Sequence, residues 1–284
     1  MLLLLPPLLF FSLSPEHCSG EGETSGRNLV TDGATPTTYH TFDGNWRPVD
    51  GQVIEEALVS LHVNGQELAT IAATPIHLDW LAVGFLANEG MIALAKEVRA
   101  AHVCPSGLCV DVWLTHAIEP PRKRILTSGC GGGVTFDDLT RTQPPLDVDG
   151  SIPATQLEAL MDQLYSAAQL YRSTGGVHTS ALFLDMTMLS LAEDVGRHNT
   201  LDKVRGDCLL RGIETRGGVL LSTGRISSEM LSKAARMGCP VVASRTSATS
   251  LSVSLARAWN ITLVGYLGRG QMSVYANGWR LGWA

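Results

Sequence analysis

The segment RKRILTSGCGGGVTF at 122–136 places Cys130 between glycines and downstream of three cations, Arg122, Lys123 and Arg124. Sulfur chemistry runs through the thiolate, and nearby positive charge favours that form. If the loop folds back toward those cations, Cys130 can act as a nucleophile or sulfur acceptor, with small neighbours leaving its sulfur open to exchange. An incidental loop thiol is the competing reading. Four other polar segments invite a different chemistry: GGVHTS at 175–180, EDVGRHNTLDK at 193–203, STGRISSE at 222–229 and SRTSATS at 244–250. They carry Arg197, Arg225 and Arg245, planar donors suited to phosphate. Ser227, read as a helix cap, makes 223–228 a plausible phosphate cradle; ordinary turns and caps are the alternative. None of these segments has the Walker A order or the Rossmann glycine spacing, which leaves classical nucleotide hydrolysis and hydride transfer without support. His178 and His198 lie near Glu193 and Asp194 in sequence. That describes either a base with its orienting carboxylate or buried hydrogen-bonding residues.

These segments need elements to hold them. Val53 to Ala73 reads as strand, turn and strand around Asn64-Gly65, a strong hairpin signal. Thr74 as cap and Pro75 as first residue open an amphipathic helix to about Asn88. Strands are expected over 110–114 and 122–127. Pro144-Pro145 and the acidic stretch to Gly150 read as a connector. Beyond it, Thr155 caps a helix to about Tyr171, and strands near 177–184, 188–192, 219–222, 241–244 and 262–266 alternate with helices near 199–211, 227–237 and 248–259. Gly212 and Gly238 sit where helices need left-handed caps. The alternation predicts a largely parallel sheet covered on both faces, with the polar segments where strands end, the usual ligand position in open α/β sheets.

The organisation expected is a disordered leader over 1–40, an N-terminal lobe over 41–150 containing the Cys130 loop, and an α/β lobe over 151–284. The first fourteen residues are apolar but fall short of the roughly 20 residues that span a bilayer. No Lys or Arg precedes Arg27, which argues against a secretory signal. A net charge of −6 gives no global field for nucleic acid, although local arginines can still form an anion site. The six cysteines have no paired CxxC spacing, so mostly free thiols and a reducing compartment are expected, with Cys104 and Cys109 flanking a turn and no metal site.

The chain resembles the formate dehydrogenase accessory sulfurtransferase family, FdhD/NarQ, over most of its length after about Val53. The likeness rests on ATPIHLDWLAVGFLANEGMI at 73–92, TSGCGGG at 127–133, GGVHTSALF at 175–183, EDVGRHNTLDKV at 193–204, STGRISSEMLSKAARMGCPVVASRTSAT at 222–249 and LVGYLGRGQMSVY at 263–275. It implies a cytidine-deaminase-like three-layer α/β sandwich with a mixed, largely parallel sheet and a smaller N-terminal β-rich lobe, in a cytoplasmic homodimer. The implied activity is sulfur transfer: persulfide sulfur is accepted from a cysteine desulfurase and passed to Mo-bis(molybdopterin guanine dinucleotide), a bound substrate, for formate dehydrogenase. A non-catalytic chaperone for the same cofactor is the alternative.

By motif position, the resemblance makes Cys130 the persulfide-bearing residue and makes Tyr266, Leu267, Gly268, Arg269, Gly270 and Gln271 the cofactor-binding loop, to which Arg225 and Arg245 add phosphate donors. Two positions depart from the family pattern. Gly133 stands in place of a second cysteine, so no internal disulfide can expel sulfide from a persulfide there. Gly268 stands where many relatives have Arg, with Arg269 following. The zinc signature of deaminases is absent, so deamination is not expected.

Overall fold

The computed structural model describes residues 32–118, 125–126, 134–135, 144–148 and 150–283. It opens with a two-stranded antiparallel ribbon, β1 (Ala34–Phe42) and β2 (Trp46–Ile54). Residues 34–40, expected within the leader, are instead part of β1, and residues 1–31 lie outside the described residues. The cause is pairing: β1 is hydrogen-bonded along its length to β2, and Ala34 is buried beside Leu170 and Val177.

β3 (Ala57–Val63) and β4 (Gln66–Ala73) form the expected hairpin. Asn64 and Gly65 both take positive φ, 51° and 78°, as the tight turn requires. The helix that follows, α1 (Leu78–Asn88), starts later than the Thr74 cap predicted. Thr74 is engaged elsewhere: its Oγ1 accepts from the Val195 N–H (3.0 Å), and its own N–H donates to Asp194 Oδ2 (3.2 Å). β5 (Val98–Val103) and β6 (Cys109–Leu114) complete a sheet of order β4-β3-β6-β5. Its apolar face, with Val59, Leu61, Ile71, Val110 and Val112, packs on α1. Cys104 and Cys109, at the ends of the β5–β6 turn with Cα atoms 5.4 Å apart, are disulfide-bonded rather than free. A hairpin turn brings its flanking residues within the span that a disulfide bridges.

Two short strands, β7 (Ile125–Leu126) and β8 (Val134–Thr135), pair antiparallel, Leu126 opposite Val134. Cys130 lies between them in sequence and outside the described residues, as does most of the strand expected over 122–127.

The C-terminal lobe begins with α2 (Ala154–Ala167), for which Pro153 rather than Thr155 is the N-cap. The chain breaks at Ala168 and resumes as α3 (Gln169–Thr174). Glu193 fixes that break, accepting from the N–H groups of Leu170 and Tyr171, each at 2.8 Å. Then follow β9 (His178–Leu184), β10 (Thr187–Asp194), α4 (Arg197–Leu210), β11 (Val219–Ser222), α5 (Ser228–Arg236), β12 (Val241–Ser244), α6 (Ser250–Ala258), β13 (Thr262–Gly268) and β14 (Gln271–Ala276). Ser227 is the α5 cap, its Oγ accepting from the Met230 N–H, and Gly212 and Gly238 have positive φ after α4 and α5.

The six strands stand in the order β10-β9-β11-β12-β13-β14. Only β11, β12 and β13 run parallel; β9 is antiparallel to both β10 and β11, and β14 is antiparallel to β13. The expectation of a largely parallel sheet is thus corrected to a parallel centre with antiparallel flanks. The reason lies in the connections: β9–β10 and β13–β14 are joined by two-residue turns, which can only reverse the chain, whereas parallel neighbours need a crossover. Along each central strand successive residues face opposite ways. Leu220, Val242 and Leu263 meet α4, α5 and α6, while Leu221, Ala243 and Val264 meet α2, giving three layers.

The lobes join where α1 crosses α4. A Cβ on Gly84 would stand 1.7 Å from the Asp202 carbonyl oxygen, and one on Gly206 would stand 1.9 Å from that of Trp80. Backbone meets backbone there, which only glycine permits. Beside the crossing, Lys203 Nζ and Asp194 Oδ2 form a fully buried pair at 2.6 Å, and Lys203 also donates to the Thr74 carbonyl. Among the described residues no helix is long and apolar enough to cross a membrane.

Candidate functional site

The polar segments come together at one edge of the large sheet. β10, β11, β12 and β13 all end there, β9 begins there, and α4, α5 and α6 start from it. Hydrogen bonds fasten the loops in sequence. Thr179 and Thr223 bond reciprocally, the Thr223 N–H to the Thr179 carbonyl (2.9 Å) and the Thr179 N–H to Thr223 Oγ1 (3.0 Å). Ser244 Oγ donates to the Gly224 carbonyl (2.7 Å), and the Arg245 N–H donates to that of Ser222 (3.0 Å). Ile226 bridges to Ala248 in parallel fashion, and the Tyr266 N–H reaches the Thr246 carbonyl at 3.0 Å. Each loop is set by the next, so the edge is a preformed shelf.

The loop at 266–271 proves to be the β13–β14 hairpin. Arg269 and Gly270 form its turn with φ 59° and 73°. Tyr266 has φ 51° at an irregularity in the pairing, and the residue is 54% exposed. Leu267 departs from the expected role: it is fully buried in the core that α2 covers, so its side chain anchors the loop and offers a ligand no surface. Alternation explains this, since neighbours on a strand face opposite sides. Gly268 (φ 136°) lies against Arg245, whose Nη1 would be 3.7 Å from a Cβ there. Arg225, Arg269, Gly270 and Gln271 are exposed.

Two residues of α2 that sequence reasoning missed support this shelf. The Gly270 N–H donates to Glu158 Oε1, and the Arg245 guanidinium lies near enough to Tyr165 to act on its phenol electrostatically. Positions 158 and 165 share one helical face, but nothing in sequence tied that face to loops about a hundred residues away. Gly224 lies within the 223–228 segment read as a cradle, but its close packing was not legible there. A Cβ on it would lie 2.8 Å from Arg197 Cβ and 3.3 Å from His178 Nδ1, so the loop approaches both side chains closely.

The histidines divide. His198 Nδ1 pairs with Glu229 Oε1 at 2.9 Å, both side chains buried, rather than with Glu193 or Asp194. Burial, assisted by Lys233 and Arg197, holds its pKa below the ordinary value against the pull of Glu229. His178 is part-buried opposite Asp194, and burial together with Arg197 lowers its pKa also. Glu193 and Asp194 are structural: the first caps α3, and the second accepts from the Gly196 N–H (2.7 Å), Asn199 Nδ2 (2.8 Å) and Lys203.

Positive helix ends, loop amides and Arg225 and Arg245 therefore face one edge, an arrangement that favours a multiply charged anion. Among the described residues the free cysteines are Cys208 and Cys239, both buried, with thiols pushed up by burial to about 11 and about 12. Such thiols stay protonated at neutral pH and are poor nucleophiles. No three His, Cys, Asp or Glu side chains among the described residues gather to hold a metal.

Comparison with known proteins agrees over nearly the whole described chain. A sulfur carrier protein FdhD from Bacillus subtilis (strain 168) is 34% identical over 241 residues, covering 82% of this chain and 92% of the relative. Its counterpart from Staphylococcus aureus (strain MRSA252) is 35% identical over 242 residues, covering 83% and 91%. A crystal structure described as that of a formate dehydrogenase accessory protein from Desulfotalea psychrophila superposes with a TM-score of 0.73 at 26% identity, covering 87% of this chain and 99% of the other. The FdhD/NarQ family model matches residues 54–282, a span that takes in both sheets and every loop of the shelf, and the chain belongs to that family.

Proposed function

We propose that this protein is a sulfur carrier and transferase in formate dehydrogenase maturation, acting in the cytoplasm as a homodimer. Cys130 takes the outer sulfur of a cysteine desulfurase persulfide: its thiolate attacks that sulfur, the donor S–S bond breaks, and the donor leaves as a thiolate. The sulfur is then passed to Mo-bis(molybdopterin guanine dinucleotide), held as substrate on the arginine-bearing shelf. The observation that carries this reading is the convergence of the 222–228, 244–249 and 266–271 loops on one edge, where Arg225, Arg245 and the starts of α4, α5 and α6 suit several phosphates at once. β7 and β8 support it further, since their pairing ties together the two ends of the segment that contains Cys130. We assign the C-terminal lobe to the cytidine-deaminase-like architecture on its three layers.

Gly133 favours a second reading, a cofactor-binding chaperone without sulfur transfer, because release of sulfide from a persulfide needs two electrons that a neighbouring thiol usually supplies. In the carrier reading those electrons come from a thiol of another protein or from the acceptor. Complementation of a strain lacking its own carrier separates the two. The carrier reading expects wild type to restore formate dehydrogenase activity and Cys130→Ser to abolish it; full activity of Cys130→Ser would establish the chaperone.

A further inference from the structure

We propose that His178 faces the anion on this shelf and takes up a proton as the anion binds, so that ligand affinity and protonation are linked. The inference rests on the shelf being the phosphate-binding site.

His178 is the first residue of β9, at the edge where the loops meet. Gly224 brings the β11–α5 loop against it, with no room for a larger residue beside Arg197. The ring is part-buried at the strand start where the loops meet, whereas His198 is enclosed and held by Glu229. The charged and titratable groups that face the two rings are Asp194 on β10, Arg197 on α4, and Glu229 and Lys233 on α5. Burial and the Arg197 cation keep His178 uncharged at neutral pH; burial, Lys233 and Arg197 do the same for His198.

A polyanion seated against Arg225 and Arg245 reverses this balance at His178. It offsets the Arg197 charge and presents oxygens to which an imidazolium N–H can donate, both of which favour the protonated ring. The step is proton transfer alone: one proton moves from solvent to an imidazole nitrogen, and no other bond changes. His198, fixed by Glu229 and shielded from the edge, is a positioning residue that keeps Arg197 and the start of α4 in place. Affinity for the anion should then strengthen as pH falls through the bound-state pKa of His178 and level off below its free-state pKa, which lies under the ordinary histidine value.

The test uses the full chain and guanosine diphosphate. The imidazole pKa of His178 is followed by NMR with and without saturating nucleotide, and binding enthalpy is measured in buffers of differing ionisation enthalpy for wild type and His178→Gln. The expected result is a rise of about one pH unit in the His178 pKa on saturation, with calorimetric proton uptake that is diminished in His178→Gln. The nucleotide's own phosphate titrates alike in both proteins, so their difference reports the imidazole. Nucleotide binding with an unmoved His178 pKa would overturn this inference and leave the shelf intact. Absence of nucleotide binding to wild type would overturn both.

Discussion

Arg245 is held by its own N–H to Ser222 and lies against Gly268, whose missing side chain leaves room for the guanidinium, with Tyr165 of α2 nearby. A cation so placed loses little freedom when an anion arrives, and Arg245→Ala removes a charge-assisted contact worth about 1.5 to 3 kcal/mol. Guanosine diphosphate affinity measured by calorimetry should fall roughly ten- to a hundredfold, with the fold intact by circular dichroism; unchanged affinity would exclude this loop from the site. The histidines give a separate prediction. His178 and His198 have folded pKa values below the unfolded value of about 6.5. Between those values the unfolded chain binds more protons, so the stability from these groups is full above about pH 6.5 and is lost as pH falls through the folded values. Urea midpoints should drop more steeply on acidification in wild type than in His198→Gln, and parallel curves would show that His198 does not contribute. The placement of Arg225 and Arg245 at the sheet edge was legible because the loops that follow strands are marked by local residue type. Leu267 was not, because burial is decided by the α2 layer and not by the loop's own residues.

At the scale of elements, local signals carried as far as local forces do. Asn64-Gly65 and the Ser227 cap appear as read, since each is decided within a few residues. Thr74 has an equally good cap signature, yet its hydroxyl serves Val195 and the helix starts at Leu78. Strand direction was missed for a related reason: apolar runs at β9 and β10 show that strands exist, whereas the Asp185-Met186 turn with φ 46° and 64° makes them antiparallel. The α1–α4 crossing has a sharper consequence. Gly84→Ala forces the helices apart at the Asp202 carbonyl, and overpacking of this kind costs about 1 to 3 kcal/mol or somewhat more. Thermal denaturation should show a clearly lowered midpoint, because the displaced α4 also carries Arg197, His198 and Lys203. A midpoint equal to wild type would mean that the helices are not in backbone contact.

Across the whole molecule, net charge and local charge part company. The chain carries −6 overall, yet the loops at one sheet edge present arginines and three helix starts, while buried acids such as Asp194, Asp202 and Glu229 are matched internally by Lys203 and Lys233. This is why a negative net charge argues against a broad basic surface without arguing against a local cluster of arginines. Cysteine use was only partly legible: Cys104 and Cys109 meet because a turn brings them together, and Cys208 and Cys239 are packed into the core where burial silences them. With those four sulfurs accounted for, Cys18 and Cys130 remain, and the carrier reading rests on Cys130 because of its place in the TSGCGGG motif. The most direct measurement is mass spectrometry of the protein after incubation with a cysteine desulfurase and cysteine, with peptides mapped under non-reducing conditions. The account predicts the added mass of one sulfur atom on the peptide containing Cys130, removed by a thiol reductant and absent in Cys130→Ser. An unmodified Cys130, under conditions that label a two-cysteine relative, would contradict it.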